Sequence, residues 1–327
     1  MATSRKVNWG ILSTARIGLN KVIPAIQQSE NGRVVAIASR TLSKAREAAK
    51  SLGIPESFGS YGELIESSSV DAIYIPLPNS LHREFTILSA EHGKHVLCEK
   101  SLALNADECE EMIASCESNN VWLMEAFMYR FHPQIVKLKE IVEAGSIGEI
   151  SSIRAAFRTT QADLSNIRYK KELGGGSLYD LGCYCVNVIR LLVGNEPNRI
   201  RGMSRFSDRT GVDVAFVGML DFPGLEVGLF DCAFRNVFHQ RLEVLGDRGT
   251  LELPAPFLPG DSPEILKHRE GSDERVSVES ANSYKLMVEH FNQCVLDDHP
   301  PRFPPTDGLN NMRVIDALFD SVASGRS

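Results

Sequence analysis

The 327-residue chain has 43% hydrophobic and 24% charged residues, enough for a sizeable core and a length that favours two domains. Its formal net charge of -7, with scattered Lys and Arg, argues against a nucleic-acid partner, which requires clustered positive charge. No stretch is expected to span a membrane, and the apolar run Val7–Leu12 is too short for a signal-peptide core. Seven cysteines without a CxxC pair favour reduced thiols in the cytoplasm and no metal site.

The first predicted elements are a strand over Val7–Leu12, a tight turn and a helix over Leu19–Gln27. Ser13, Ala15 and Gly18 hold the small-residue positions of G-x-G-x-x-G, which permit the turn and close approach to a pyrophosphate. Two of the three glycines are absent, so an ordinary strand-to-helix turn stays open as the alternative. The residues of the turn that are expected to bind a cofactor are Ser13, Thr14, Ala15, Arg16 and Ile17.

The residues after the second predicted strand, Val34–Ala38, indicate which dinucleotide binds. An acidic side chain at this place would accept hydrogen bonds from the ribose hydroxyls of NAD. Here Ser39 and Arg40 follow the strand, and Lys44 lies one turn later. A hydroxyl and a guanidinium suit the 2′-phosphate of NADP, which a carboxylate would repel. The sequence therefore favours NADP over NAD. The alternative is that these residues only solvate the end of the strand and do not select a coenzyme.

Strands and helices keep alternating to residue 126, which predicts an α/β fold with a doubly wound parallel sheet. Helices are expected over Leu42–Leu52, Leu81–His92 and Ala106–Asn119, and strands over Ala72–Pro76, His95–Cys98 and Val121–Glu125. The connection after the strand that ends at Pro76 would line the cofactor cleft. Its candidate cofactor contacts are Pro76, Leu77, Asn79 and His82.

The run from His95 to Ser101 predicts a buried strand that places Lys100 beyond its carboxyl end, where ligands bind in an open parallel sheet. Desolvation and neighbouring charge can tune the pKa of a lysine in that position. Glu99 and Lys100 are therefore candidate cofactor contacts, and Lys100 is also a candidate catalytic group. The alternative is a surface strand end that these charges only solvate.

After Phe131-His132-Pro133 the pattern changes to consecutive strands on short turns, which indicates a mostly antiparallel open sheet. The strands are expected over Ile150–Phe157, Ile200–Phe206, Val212–Phe222, Leu225–Phe234, Gln240–Leu245 and Thr250–Leu253. The segment Pro254–Ala281 is expected to be a long surface excursion. Residues 1–126 are assigned to a dinucleotide-binding domain and 127–303 to a substrate-binding and oligomerisation domain, with 304–327 packing back on the first.

A second informative stretch runs from Gly174-Gly175-Gly176 to Asn187. The glycines are expected to open a helix whose amides face a ligand. Asp180, Tyr184 and Asn187 fall on one stripe of this helix, at spacings of four and three residues. A carboxylate, a phenol and an amide together can handle a proton. The alternative is a buried tyrosine that bonds to Asp180 for packing.

With these residues the sequence resembles the Gfo/Idh/MocA family, the relatives of glucose-fructose oxidoreductase and inositol dehydrogenase. The E-K-P signature is matched by Glu99-Lys100-Ser101, and G-G-G-x-L-x-D-x-G-x-[HY] by Gly174–Tyr184. The resemblance implies a Rossmann domain, an α/β domain with a mostly antiparallel sheet, and hydride transfer between NAD(P) and a sugar-like substrate. Gly10–Gly18 and Glu125–Pro133 are most similar to NADP-dependent xylose dehydrogenases, dihydrodiol dehydrogenases and ketosugar reductases.

The resemblance also implies catalytic roles for Lys100, Asp180 and Tyr184. Tyr184 is expected to move the substrate hydroxyl proton, because a neighbouring Lys100 ammonium favours the phenolate. Asp180 is expected to accept from a substrate hydroxyl or to orient Lys100. The expected substrate-binding residues are Arg130, Phe131, His132, Asp180, Tyr184 and Asn187, and a packed structural role stays open for His132.

The expected reaction is NADP-dependent oxidation of D-xylose or a similar aldopyranose at carbon 1. Two alternatives stay open: an NADPH-dependent ketosugar or diketone reductase, and a catalytically silent NADP-binding sensor. Ser101 replaces the family proline, and if the preceding bond is cis in relatives, a serine is expected to favour trans. Relatives form oligomers, so a homodimer or higher homo-oligomer is expected, through the sheet face of Val214, Phe216, Gly218 and Leu220.

Overall fold

The computed structural model describes residues 5–224 and 226–325. The chain divides into two compact units, one of Met1–Met128 with Asn282–Leu309 and one of Tyr129–Ala281 with Asn310–Ser327. Leu225, where one predicted strand begins, lies outside the described residues, as do residues 1–4 and 326–327 of the predicted domains.

The first unit contains a parallel sheet of six strands. They are β1 (Val7–Leu12), β2 (Gly32–Ala38), β3 (Glu56–Phe58), β4 (Ala72–Ile75), β5 (His95–Cys98) and β6 (Leu123–Glu125). Their order is β3-β2-β1-β4-β5-β6, which is the Rossmann order. All four residues of β4 are buried, as expected for a parallel sheet with both faces covered. The predicted parallel sheet is therefore confirmed.

Nine α-helices lie in the described part of the chain. They are α1 (Ile23–Gln28), α2 (Leu42–Leu52), α3 (Tyr61–Ile65), α4 (His82–Glu91), α5 (Ala106–Ser118), α6 (Pro133–Glu143), α7 (Cys183–Val193), α8 (Ser283–Asp297) and α9 (Pro305–Ala323). A π-helical turn, Gly18–Val22, runs directly into α1, and another, Leu178–Gly182, runs directly into α7.

The helix α8 belongs to the first unit, whereas the predicted boundaries placed it in the second. Trp9 Nε1 of β1 donates to Asn292 Oδ1 at 2.8 Å, and the ring of Trp9 lies 5.6 Å from that of Phe291. These buried contacts join residues nearly 300 positions apart, so no local pattern could reveal them. Conversely, most of α9 belongs to the second unit, where Phe319 packs 5.3 Å from Tyr179. The expectation that 304–327 packs back on the first unit therefore differs from the structure beyond Leu309.

The second unit is built on an eight-stranded sheet. Its strands are β7 (Ile150–Thr160), β8 (Arg199–Phe206), β9 (Asp213–Asp221), β10 (Val227–Ala233), β11 (Arg235–Gly246), β12 (Gly249–Leu253), β13 (Glu264–Arg269) and β14 (Ser272–Ser277). The order is β14-β13-β12-β11-β7-β10-β9-β8, and β7 and β10 pair in parallel while the other neighbours are antiparallel. The mostly antiparallel sheet is confirmed.

The segment Pro254–Ala281 was predicted to be a long surface excursion. In the structure it contains a hairpin formed by β13 and β14. The hairpin turns at Gly271 (φ +73°) and extends the sheet past β12. Most side chains of β14 are exposed. An edge strand of this kind has no apolar alternation, so its composition resembles that of a loop.

The sheet face predicted to be open is the covered one. Val214, Phe216 and Leu220 are at most 6% exposed, and Phe216 packs 5.9 Å from Phe319 of α9. Successive strand residues point to opposite faces, so the prediction chose the wrong face. The outward face of the adjacent strands β8, β9 and β10 instead carries exposed apolar side chains, namely Met203 (69%), Val217 (56%), Met219 (39%) and Leu229 (37%).

The stretch Lys171–Val193, which contains α7, is long enough to cross a membrane and includes an 18-residue window with a mean hydropathy of 1.2. However, 78% of its most apolar window is buried inside the protein. Burial to that extent is typical of the core helix of a folded domain, and α7 lies against β7 and β10. This stretch is therefore weak support for a membrane span.

Candidate active site

The turn after β1 has the geometry that the G-x-G-x-x-G pattern requires, although two glycines are missing. Ser13 adopts φ +97°, a conformation that favours glycine. Its hydroxyl donates to the Pro76 carbonyl at 3.1 Å and accepts from the Ala15 amide at 3.2 Å. Two hydrogen bonds from one hydroxyl thus offset the conformational cost of a side chain there. Thr14 and Ile17 are half-buried beside the turn, and Arg16 is exposed.

The end of β2 presents two exposed cations at the predicted coenzyme-selecting position. Ser39 is buried, with its amide donating to the Phe58 carbonyl, while Arg40 and Lys44 are exposed. Burial raises the pKa of the Tyr61 phenol, and the Arg40 charge opposes that shift. Arg40 therefore lies close to Tyr61, at the carboxyl end of the sheet.

These residues suit a phosphorylated dinucleotide. The helical stretch 16–28 begins directly after the turn, so its first amides have no acceptor within the helix and suit a pyrophosphate. Gly18 is buried, and a Cβ built on it would lie 3.5 Å from Pro76 and 3.6 Å from Tyr74, so helix and strand ends approach closely there. The cations after β2 suit a further phosphate.

The loop after β4 is tied to its surroundings chiefly by backbone contacts. Pro76 and Leu77 are buried, and Asn79 is half-buried at the start of a 3-10 turn. His82 is fully buried, and both of its ring nitrogens face backbone carbonyls. Its imidazole is therefore inside the protein, in contrast to the direct cofactor contact predicted from sequence.

Beyond the end of β5, Glu99 and Lys100 are both half-buried. Tyr74 Oη donates to Glu99 Oε1 at 2.6 Å. Burial, and next the Glu99 carboxylate, raise the pKa of Tyr74 well above its usual value, so the phenol stays protonated and donates. The Lys100–Ser101 peptide bond is cis. The expectation that serine in place of proline would favour trans is therefore wrong.

The amides of the three glycines that begin the second motif, Gly174–Tyr184, bond to the protein backbone. The amides of Gly174, Gly175 and Gly176 donate to carbonyls of Lys171, Lys170 and Arg168. A Cβ on Gly175 would lie 2.6 Å from the Arg168 carbonyl, and one on Gly176 (φ +129°) 2.1 Å from Asp213 Oδ1. The predicted ligand-facing amides are therefore already bonded within the protein.

Asp213 of β9 anchors the start of the second-motif helix. The Ser177 hydroxyl and the Leu178 amide donate to its Oδ2 at 2.6 and 2.8 Å. Burial raises the pKa of this carboxyl, and these hydrogen bonds oppose the shift. Asp213 thus fixes the π-helical turn on which Asp180 lies.

Asp180 is paired with a residue that the sequence did not single out. Arg168 Nε donates to Asp180 Oδ2 at 2.6 Å, with the carboxylate 14% exposed and the arginine 39% exposed. Arg168 lies in the 3-10 turn Ile167–Tyr169. The charge-assisted bond orients the carboxylate, which is a group that accepts hydrogen bonds from hydroxyls.

Tyr184 lies in a cluster of aromatic rings and is 8% exposed. Its ring centroid is 5.7 Å from that of Tyr129, 5.5 Å from Phe157 and 5.4 Å from Phe257. Tyr129 Oη in turn donates to Asn187 Oδ1 at 2.6 Å. Tyr129 therefore contacts Tyr184 through its ring and Asn187 through its hydroxyl.

The predicted substrate residues Arg130, Phe131 and His132 are all buried, at 2%, 6% and 0% exposure. His132 is the N-cap of α6, where Nδ1 accepts from the Gln134 amide at 3.1 Å. Burial lowers the pKa of His132, and the bond from the Gln134 amide requires an Nδ1 without a proton. This is the packed structural role that was left open for it.

Sequence reasoning missed Arg168, Tyr129, Tyr74 and Asp213. Each acts on a motif residue from another element, at separations of 12 to 58 positions along the chain. Tyr129 lies in the segment Glu125–Pro133, which carries part of the resemblance. The sequence did not indicate that it bonds to Asn187.

Comparisons with known proteins agree with this architecture. A model of the oxidoreductase family with an NAD-binding Rossmann fold matches residues 7–127, and the GFO/IDH/MocA C-terminal domain matches 135–252. The D-xylose 1-dehydrogenase (NADP(+)) 2 of Haloferax volcanii is 37% identical, over 97% of this chain and 98% of that protein. A trans-1,2-dihydrobenzene-1,2-diol dehydrogenase of Xenopus laevis is 31% identical, over 88% and 89%.

A similar fold is known from crystallography. The structure of a 3-ketoreductase from Actinomadura kijaniata, in complex with NADP and TDP-benzene, matches with a TM-score of 0.93. It is 28% identical and covers 97% of this chain and 98% of that one. With both domains matched in order by their family models, the chain belongs to the Gfo/Idh/MocA family of oxidoreductases.

Proposed function

We propose that the protein is an NADP-dependent oxidoreductase that oxidises an aldopyranose such as D-xylose at carbon 1. The observation that carries the proposal is the Arg168–Asp180 pair, with Asp180 four residues before the buried Tyr184 on the same helical stretch of the substrate unit. It supplies an ionised acceptor and a proton-exchanging group for a carbinol. The 37% identity to a D-xylose 1-dehydrogenase favours this substrate class.

The cofactor site consists of the turn after β1 and the ends of β2, β4 and β5. Ser13, Thr14, Ala15, Arg16 and Ile17 hold the pyrophosphate, and Ser39, Arg40 and Lys44 hold the 2′-phosphate. The loop residues Pro76, Leu77 and Asn79, with Glu99 and Lys100, border the nicotinamide half. When bound, the nicotinamide accepts or supplies the hydride.

The chain's own residues handle the proton and orient the substrate. Tyr184 takes the hydroxyl proton at its Oη during oxidation and returns it during reduction. Lys100 stabilises the negative charge that develops on the reacting oxygen. Asp180, held by Arg168, accepts a hydrogen bond from a sugar hydroxyl, and Asn187 fixes the ring of Tyr129 beside Tyr184. Arg130 and Phe131 border the sugar from the start of the same unit.

A ketosugar reductase is the second candidate, and one observation favours it. The 3-ketoreductase structure, crystallised with a TDP derivative, matches nearly the whole chain with a TM-score of 0.93. Oxidation and reduction use the same acid–base groups, so the residues of the site allow either direction.

A two-directional substrate panel tests the proposal. NADP+ with pentoses and hexoses, and NADPH with ketosugars, nucleotide-linked ketosugars and diketones, are each followed at the nicotinamide absorbance. We expect NADPH formation with at least one aldopyranose. Turnover only in the reductive arm would replace the first proposal by the second. NADPH binding without turnover in either arm would favour a silent sensor.

The protein is also proposed to be a cytoplasmic homo-oligomer. All seven cysteines are free and buried, which suits a reducing compartment. Met203 pairs in register with Val217, and Met219 with Leu229, so four exposed apolar side chains adjoin on the outward sheet face. An apolar patch of this kind is typical of a protein–protein interface, and a second copy is the proposed occupant.

A further inference from the structure

The imidazole of His82 connects two loops of the Rossmann sheet. Nε2 lies 2.9 Å from the Leu77 carbonyl oxygen, and Nδ1 lies 3.0 Å from that of Ser101 and 3.3 Å from that of Leu102. Leu77 follows β4 and Ser101 follows β5, and these two strands pair directly. One ring therefore joins the loop with the proposed cofactor contacts to the loop that begins at Lys100.

The contacts of His82 are all to the backbone. A carbonyl oxygen only accepts, so each link requires a proton on the nitrogen that faces it. A neutral imidazole has one such proton and makes one link at a time, and only the imidazolium makes both links together. The ring is fully buried, so a carbonyl that loses its bond to the ring has no water at hand to replace it. Burial lowers the pKa of His82, the hydrogen bonds to the carbonyls of Leu77, Ser101 and Leu102 oppose that shift, and the Lys100 charge adds to it. Lys100 is therefore a near neighbour of this ring.

We propose that His82 is a positioning residue that sets Lys100 against the cofactor loop after β4. The proposal rests on the oxidoreductase function proposed above. Lys100 precedes Ser101 directly, so the bond from Nδ1 to the Ser101 carbonyl fixes the backbone from which the lysine side chain projects. With the proton on Nε2 instead, the ring bonds the opposite wall at Leu77. A misplacement of about 1 Å near the reacting atoms can lower a rate by about 100-fold.

Two amide substitutions separate the two links. The side-chain nitrogen of His82→Asn falls near the position of Nδ1 and can still donate toward Ser101, whereas that of His82→Gln falls near Nε2 and can still donate toward Leu77. His82→Phe fills the space and makes neither bond. The readouts are kcat with the best substrate and the dissociation constant for NADPH, each per folded molecule.

We expect His82→Phe to lower kcat by about 100-fold and to weaken NADPH binding by about tenfold, the latter equivalent to one lost hydrogen bond of about 1.4 kcal/mol. His82→Asn should recover more of kcat than of NADPH affinity, and His82→Gln should show the reverse order. This opposite order is not expected from loss of stability alone. His92→Gln is the matched control, because His92 is an exposed histidine at the end of the same helix.

Two results overturn the proposal: His82→Phe with wild-type constants, or Asn and Gln variants that lose kcat and NADPH affinity in equal proportion. A wild-type protein that binds NADPH but turns over no sugar would contradict the proposed function instead. The NADPH affinities of the Asn and Gln variants would still test the Leu77 link in that case. A wild-type protein that does neither would remove both proposals.

Discussion

Arg168 Nε donates a 2.6 Å hydrogen bond to Asp180 Oδ2, which joins a 3-10 turn to the helix that carries the second motif. The carboxylate has little exposure, and the charge-assisted bond to the guanidinium holds it in place. Asp180 can be recognised in the sequence motif, but its orientation as a hydrogen-bond acceptor is set by Arg168.

Loss of this partner should affect catalysis more than stability. We expect Arg168→Ala to lower kcat/KM by about tenfold, or about 1.4 kcal/mol, because charge-assisted bonds contribute ~1.5–3 kcal/mol and partial exposure of the arginine reduces that value. Steady-state kinetics and thermal unfolding measure the two effects. The control is Arg83→Ala, which removes an exposed pair with Glu111 and should leave kcat/KM unchanged. Equal kinetic effects of the two substitutions would contradict the role of Arg168.

Ser13 provides a test of the first turn, since its backbone favours glycine and its hydroxyl makes two hydrogen bonds. Ser13→Ala keeps the unfavourable φ and loses both bonds, so the free energy of unfolding should fall by about 1–2 kcal/mol. Ser13→Gly loses the same bonds, but glycine adopts a positive φ without cost. The free energy of unfolding should therefore fall by about 1 kcal/mol less than in Ser13→Ala. Urea unfolding of both variants measures the difference. An alanine variant as stable as the glycine variant would show that φ at Ser13 carries no cost.

Arg40 should decide the preference for NADP. Arg40→Glu replaces an exposed cation by an anion at the end of β2, so we expect the dissociation constant for NADPH to rise by about tenfold or more and that for NADH to stay within about twofold. Lys50→Glu makes the same change of charge near the end of α2 and is the control. Fluorescence titration gives both constants. Equal weakening of NADPH binding in the two variants would show that Arg40 acts through the overall charge of the protein and not by contact with the 2′-phosphate.

The outward sheet face should hold the oligomer together. Val217→Lys puts a charge in the centre of the exposed apolar patch, and we expect light scattering to show dissociation to monomers at micromolar concentration. Val136→Lys, at another exposed apolar position on α6, should leave the oligomer intact. A wild-type protein that is monomeric at this concentration would refute the assignment.

Local sequence patterns predicted the elements that carry the motifs. The apolar run before Glu99 and the small residues after β1 placed Lys100 and Ser13 at the carboxyl ends of parallel strands, where the structure has them. Asp180 and Tyr184 were likewise placed on one helix, though its π-helical turn was not expected.

Relationships between distant segments could not be predicted in this way. The Trp9–Asn292 bond assigns α8 to the Rossmann unit, and it joins residues 283 positions apart. The polar edge strand β14 resembles a loop in composition, and the choice of the open sheet face at Val214 depended on which helices cover it. In each case the outcome depends on packing between segments that are far apart in the chain, which local patterns in one sequence do not reveal.

Transfer of deuterium from carbon 1 tests the central proposal most directly. The protein is incubated with NADP+ and D-xylose deuterated at carbon 1, and the reduced coenzyme is analysed by mass spectrometry. We expect NADPH that carries one deuterium, because the hydride leaves that carbon. Unlabelled NADPH, or no reduction with D-xylose or any other aldopyranose deuterated at carbon 1, would contradict the proposed dehydrogenase.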